Sequence, residues 1–175
     1  WDRSGLPAFR VGINISAAQF RETDFVAKIA SAIEMSGVDP ARLELEITES
    51  VAMEDPESVA RQLRELKALG LRVAVDDFGC GFSSLGSLNR LPFDRIKIDR
   101  AFVRELTPST SQDCIARIII KLAKSLGLDV IAEGVETAEQ SRLLEEMGCR
   151  EMQGFLYGRP MHADALASWV GGNPA

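Results

Sequence analysis

The chain predicts an α/β fold of parallel strands alternating with helices, arranged as an incomplete (β/α)8 TIM-type barrel of about six strands. Three observations predict it. First, one unit recurs: helix end, glycine, strand, acid. It runs as Ala68-Leu-Gly-Leu-Arg-Val-Ala-Val-Asp-Asp77, again as Ser125-Leu-Gly-Leu-Asp-Val-Ile-Ala-Glu133, and more loosely as Glu146-Met-Gly-Cys-Arg-Glu-Met-Gln153. Such alternation predicts a parallel sheet with right-handed crossovers. Second, the 175 residues, 46% of them hydrophobic, suffice for one domain with a real core. They fall short of the roughly 250 residues usual for a closed eight-stranded barrel. Third, polar residues gather where strands end. The alternatives are an open sheet or a barrel lacking its first strands, and the abrupt start at Trp1 favours the second.

Taken in order, Trp1–Pro7 reads as the tail of an element. Phe9–Ser16 reads as a strand, with Val11, Ile13 and Ile15 alternating against Gly12, Asn14 and Ser16. Asp24 caps a helix carrying Phe25, Val26, Ile29 and Ile33, and Gly37 ends it. Leu43–Thr48 is the second strand. Pro56 starts a helix with Val59, Leu63, Leu66 and Leu69 on one face, ended by Gly70. The strand to Asp76 and Asp77 follows, then a short helix over Ser83–Leu91 and a strand over Arg95–Asp99. Ser111 or Asp113 opens a helix that Gly127 closes. Asp129–Val135 is a strand. Thr137 and Gln140 form a capping box for a helix through Met147. Glu151–Gly158 is the last strand and Ala163–Val170 the last helix. One domain spans 1–170, with a tail over 171–175.

Composition excludes several functions. A net charge of -6 argues against a nucleic-acid groove, which needs a basic face, so no DNA or RNA polymer is expected as a partner. A small anionic substrate still fits if metal ions lie between carboxylates and phosphates. The three cysteines, Cys80, Cys114 and Cys149, lack metal-type spacing and read as reduced thiols of a cytoplasmic protein. No run reaches membrane-spanning length, so this segment is expected to make no membrane contact. A single histidine, His162, argues against a multi-histidine zinc or iron site.

Strand side chains alternate faces. In Leu43–Thr48 the apolar Leu43, Leu45 and Ile47 share one face, and Glu46 and Thr48 the other. Likewise Ile96 and Ile98 oppose Lys97 and Asp99, and Asp76 opposes Val73 and Val75. In a barrel the polar set converges at the C-terminal mouth, where barrel active sites lie. That set is Asn14, Glu46, Asp76, Asp77, Lys97, Asp99, Glu133 and Gln153. Oxygen ligands without histidine suit Mg²⁺ or Mn²⁺. Several carboxylates hold two such ions about 3.5–4 Å apart, a geometry that polarises a phosphodiester and acidifies water. Lys97 would orient that water or neutralise developing charge.

At these residues the chain resembles the EAL-domain cyclic di-GMP phosphodiesterases, from about Phe9 to Trp169. Asn14-Ile-Ser-Ala17 resembles the family's Asn-x-Ser strand, which implies Asn14 as a metal ligand. Glu46-Ile-Thr-Glu49 resembles its Glu-x-Thr-Glu motif. That implies Glu46 as a ligand and Glu49 as the residue that steadies the loop after the aspartate pair. Asp76-Asp-Phe-Gly-x-Gly-x-Ser-Ser-Leu85 is the most distinctive match. It implies Asp76 and Asp77 at two metals, and a loop (Phe78, Gly79, Gly81, Ser83 and Ser84) that couples the metal site to a homodimer interface. Lys97-x-Asp99 implies Lys97 at the nucleophilic water, with Asp99 at the metal and substrate. Glu133-Gly-Val-Glu136 implies Glu133 as a catalytic metal-site acid. Gln153-Gly-Phe-Leu-Tyr-Gly-Arg-Pro160 resembles the closing motif, with Gln153 near the nucleotide.

The Glu-Ala-Leu tripeptide of the family, whose Glu is a metal ligand, is absent. The expectation is therefore a partial EAL domain whose parent hydrolyses cyclic di-GMP to linear pGpG with two Mg²⁺ or Mn²⁺ ions, the fragment itself being impaired. A GGDEF-type cyclase or sensory module upstream would fit the resemblance, as would a parent anchored in a membrane through other domains. Two rivals stand beside it. One is a non-catalytic cyclic di-GMP receptor. The other is an enolase-type Mg²⁺ enzyme, with Lys97 abstracting a proton and Glu46, Asp76 and Glu133 holding the metal.

Overall fold

Short runs of β-branched and aliphatic residues, each stopped by a polar cap or a glycine, set the architecture. A computed structural model of the chain describes residues 8–79, 88, 90–109 and 114–172. Six strands form one sheet: β1 (Val11–Ile15), β2 (Leu43–Thr48), β3 (Arg72–Phe78), β4 (Arg95–Ile98), β5 (Asp129–Ala132) and β6 (Glu151–Met152). They lie side by side in chain order, and every pair is parallel. This is the expected incomplete α/β barrel.

Helices connect the strands: α1 (Ala17–Phe20), α2 (Phe25–Ser36), α3 (Glu49–Glu54), α4 (Pro56–Ala68), α5 (Arg100–Arg104), α6 (Ile115–Leu126), α7 (Ala138–Met147) and α8 (Ala163–Gly172). Several of their ends follow the sequence, although Asp24 stands before α2 without a side-chain capping bond and pairs with Lys28 instead. Pro56 opens α4 while the Asp55 side chain accepts from Ser58 N. The Thr137–Gln140 capping box of α7 is present, and Gly37 and Gly127 close α2 and α6 in the left-handed region. Among the described residues no helix is long and apolar enough to cross a membrane.

The core lies between sheet and helices. Leu45, Ile47, Val73, Val75, Ile96 and Ile98 are buried on the outer face of the sheet, with Leu63 and Leu66 of α4, Ile119 and Ile120 of α6, and Leu144 of α7 in the same cluster. Each such side chain contributes about 1.5–3 kcal/mol on burial. The inner face is left to the polar residues.

Several elements differ from expectation. β5 ends at Ala132 and not Val135, because Gly134 turns into the left-handed region. β6 is two residues long and does not reach Gly158; Tyr157 N and Gly158 N both donate to Gly154 O, closing a turn. Three short helices follow strands directly: α1 behind the Ser16–Gln19 capping box, α3 after Thr48, and α5 behind Asp99, whose carboxylate accepts from Ala101 N. A 3₁₀ turn over Pro40–Arg42 precedes β2. The last helix, expected to end at Val170, runs to Gly172. Trp1–Pro7, most of the helix expected over Ser83–Leu91, the Ser111 or Asp113 helix start and residues 173–175 lie outside the described residues.

Candidate metal centre

Parallel register brings the inner-facing groups to one end of the sheet. Asn14 pairs with Glu46, and Glu46 with Ala74. On β3 a bulge intervenes: Val75 pairs with Ile96 and Phe78 with Ile98, so β3 uses one residue more than β4 over this span. Asp77 takes up the excess at φ 53°, a left-handed conformation that an aspartate tolerates better than a bulky residue. Asp76 thus keeps its inward direction, while Asp77 sits exposed at the rim beside Asp99.

One carboxylate oxygen from each of Glu46, Asp76 and Glu133 lies within 4.8 Å of the others. The Lys97 ammonium sits among them. It pairs with Glu46, with Asp76 Oδ1 at 3.1 Å and with Glu133 Oε1 at 2.5 Å. Gln153 Nε2 donates to Glu133 Oε1 at 2.7 Å. The Asn14 amide, oriented so that its nitrogen meets acceptors, donates to Glu46 Oε2 and Asp76 Oδ2, each at 3.2 Å. Six expected site residues therefore meet: Asn14, Glu46, Asp76, Lys97, Glu133 and Gln153. Asp77 and Asp99 stand outside the three-acid cluster.

Charge explains the protonation states. Burial, the largest influence on Lys97, pulls its pKa down. Hydrogen bonds to Glu133 and Glu46 outweigh it and hold the ammonium above its ordinary value. Burial raises Glu133, and Asp76 and Glu46 push the same way against Lys97. Asp77 is also raised, by burial first, then by Asp76 and Asp99. Three carboxylates against one ammonium leave two negative charges in a small volume. Such a set fits a hard divalent cation, since every donor is oxygen.

Glu49, buried at the start of α3, accepts from Gly79 N at 2.7 Å, so α3 is tied to the end of β3. Gly79 has φ 101°, and a Cβ there would meet the Phe102 ring at 2.8 Å. Phe78 is buried. Cys80, Gly81, Ser83 and Ser84 lie outside the described residues.

Beside the cluster opens a cleft of about 520 Å³, lined by Glu133 and Gln153 and also by Arg100, Phe155, Arg159 and Trp169. The Arg159 guanidinium lies over the Phe155 ring at 4.6 Å. Sequence reasoning assigned none of these four to the site. Arg159 and Phe155 fall within the quoted Gln153–Pro160 motif, but its turn geometry decides which side chains enter the cleft.

The EAL domain family model matches residues 1–160. The curated protein "Bifunctional diguanylate cyclase/cyclic di-GMP phosphodiesterase MucR" of Pseudomonas aeruginosa is 40% identical over 170 residues, 97% of this chain and 25% of that protein. A solved PaMucR phosphodiesterase in complex with c-di-GMP superposes with a TM-score of 0.85 at 41% identity, over 90% of this chain and 64% of that one. A manganese and cy-diGMP complex of Klebsiella pneumoniae BlrP1 superposes with a TM-score of 0.79 at 30% identity, over 91% of this chain and 41% of that one. The chain spans about a quarter of the curated relative's length.

Proposed function

The chain belongs to the EAL domain family, and from that premise we propose that its parent protein hydrolyses a 3′,5′-phosphodiester of cyclic di-GMP to linear pGpG. The observation that carries this reading is the over-acidic cluster of Glu46, Asp76 and Glu133 around Lys97, bordering a cleft with two arginines.

Glu46, Asp76, Glu133 and the Asn14 amide, turned to present its oxygen, would hold one Mg²⁺ or Mn²⁺. Asp77 and Asp99 are the acids left at the rim for a second. When bound, the ions supply Lewis acidity toward a phosphodiester and toward water. Lys97, placed among the three carboxylates, would act as a cation and hydrogen-bond donor to the attacking water or to the phosphoryl oxygens. The contacts of Lys97 with all three carboxylates favour a cation at this position over the neutral lysine base that the enolase-type alternative needs. Glu133, among the metal-holding acids, stands at the edge of the cleft, and Gln153 fixes its orientation there. Arg100 and Arg159 give the cleft positive charge for phosphates, and Phe155 offers a face for a base. Glu49 steadies the end of β3 through Gly79. The bifunctional description of MucR supports a cyclase module elsewhere in the parent. A homodimer coupled through the loop after Asp77 and a cytoplasmic site of action complete the proposal.

The test is cyclic di-GMP turnover by the full-length protein with Mn²⁺ or Mg²⁺, followed by chromatography of the product, with Asp76→Asn as control. Release of pGpG by wild type alone is expected. Binding without turnover would replace the enzyme with a cyclic di-GMP receptor.

A further inference from the structure

The arrangement around Lys97 is repeated one step down the inner face. Arg95 lies two residues before Lys97 on β4, so both project to the same side. It is only 4% exposed. One arm of its guanidinium donates to Glu44 Oε1 at 3.2 Å, and the other to Glu151 Oε1 at 2.8 Å, with Glu151 Oε2 at 2.7 Å. Glu44 lies two residues before Glu46 on β2. Glu151 lies two residues before Gln153 on β6. Ala74 is the β3 residue in register with Arg95, and its small side chain leaves room for the guanidinium to cross β3. A polar cleft of about 390 Å³ is lined by Glu44, Arg95 and Glu151 and also by Glu46 and Gln153, so groups of both levels open into one space.

β6 makes this contact consequential. It has two residues and two register pairs, Ile131 with Glu151 and Ala132 with Met152. Backbone bonds from Gln153 N to Ala132 O and from Val135 N to Gln153 O continue this pairing to β5, and the two-sided grip of Arg95 on Glu151 adds a side-chain tie from β4. Gln153 follows directly, and it orients Glu133. On the other side, Glu44 transmits the same tie to β2 and therefore to Glu46.

We propose that Arg95 is a positioning residue for the metal centre: by gripping Glu44 and Glu151 at once it fixes β2 and β6 one step below Glu46 and Gln153. The inference rests on the metal-centre reading above. A planar, forked, permanently charged group is what such a double grip requires, and lysine cannot reproduce it.

The test is Mn²⁺ affinity of the full-length protein, followed by electron paramagnetic resonance of free Mn²⁺, with thermal melting in EDTA as the fold control. The variant pair Glu44→Gln with Arg95→Met removes one acid and one base, so the net charge near the site is unchanged. Its Mn²⁺ dissociation constant is expected to rise about tenfold or more. Arg95→Lys, which keeps the charge and loses the fork, falls between this variant and wild type. The charge-neutral pair Arg21→Met with Glu54→Gln, which ties the end of α1 to α3 outside the Arg95 network, is expected to leave Mn²⁺ affinity within about threefold of wild type. Wild-type Mn²⁺ affinity in the folded Glu44→Gln/Arg95→Met protein overturns the proposal. So does an equal loss in both pairs, which would mark general destabilisation. If the double variant does not melt cooperatively, wild-type affinity in Arg95→Lys overturns it instead. Absence of Mn²⁺ binding by the wild-type protein breaks the metal-centre reading itself, and this inference with it.

Discussion

Arg95 and Lys97 stand two residues apart on β4, each between an acid of β2 and an acid from the far side of the sheet. What differs is the balance. Around Arg95, the acids Glu44, Asp129 and Glu151 face three guanidinium groups, those of Arg95, Arg72 and Arg10. Around Lys97, three carboxylates face one ammonium. The lower layer approaches neutrality with protein charges alone, and its work is to hold strands. The upper layer keeps a surplus that a divalent cation would cancel. The same local plan thus serves as scaffold or as site according to how many bases accompany the acids.

This comparison can be broken at either level. The largest effect belongs to the surplus. Asp76→Asn or Glu46→Gln is expected to lower turnover on the order of a thousandfold, while the melting temperature in EDTA stays close to wild type because repulsion is relieved. A large loss of stability without metal would show that the upper layer is scaffold too. Next comes Glu44→Gln, which leaves the buried Arg95 charge short of a partner. It should cost about 3 kcal/mol in urea unfolding, with or without Mn²⁺; an effect that Mn²⁺ erases would dissolve the distinction. Lys97→Met should cost about a hundredfold in turnover, and its stability in EDTA should recover when Mn²⁺ is added. Arg100→Ala, at the cleft rim, should lose less activity than Lys97→Met, and equal losses would remove the special place of Lys97. Smallest is Glu49→Gln, expected to cost about 1 kcal/mol and to speed hydrogen exchange at the Gly79 amide, with the Arg95 layer unaffected.

Much of the upper layer was legible in the chain. Period-two alternation placed Glu46, Asp76 and Lys97 opposite their apolar neighbours, and glycines and caps marked where strands stop. The lower layer was not. Glu44 and Arg95 are 51 residues apart, and Arg95 and Glu151 are 56 apart. Nothing local distinguishes them from polar residues facing water, because their meaning lies in the register between non-adjacent strands. The bulge was equally hidden. Paired aspartates read as two ligands of equal standing, yet alternation sends consecutive residues to opposite faces. Only the extra residue of β3 separates a buried Asp76 from a rim Asp77. Strand length failed for a related reason. Glu133–Val135 and Gln153–Gly158 are apolar enough to extend a strand, but left-handed Gly134 and the turn on Gly154 O divert the chain into the cleft wall.

The strands of this sheet lie in the order in which they occur along the chain. During synthesis each new strand therefore finds its partner already at the growing edge, with no earlier segment to displace. Asn14, Glu46, Asp76 and Lys97 precede Glu133 and Gln153 along the chain, and Lys97 can neutralise part of the charge of Glu46 and Asp76 as they assemble. Glu133 and Gln153 emerge last. The carboxylates of Glu46 and Asp76 thus meet the Lys97 cation before they meet Glu133, and the three-acid cluster closes only when β5 has been made.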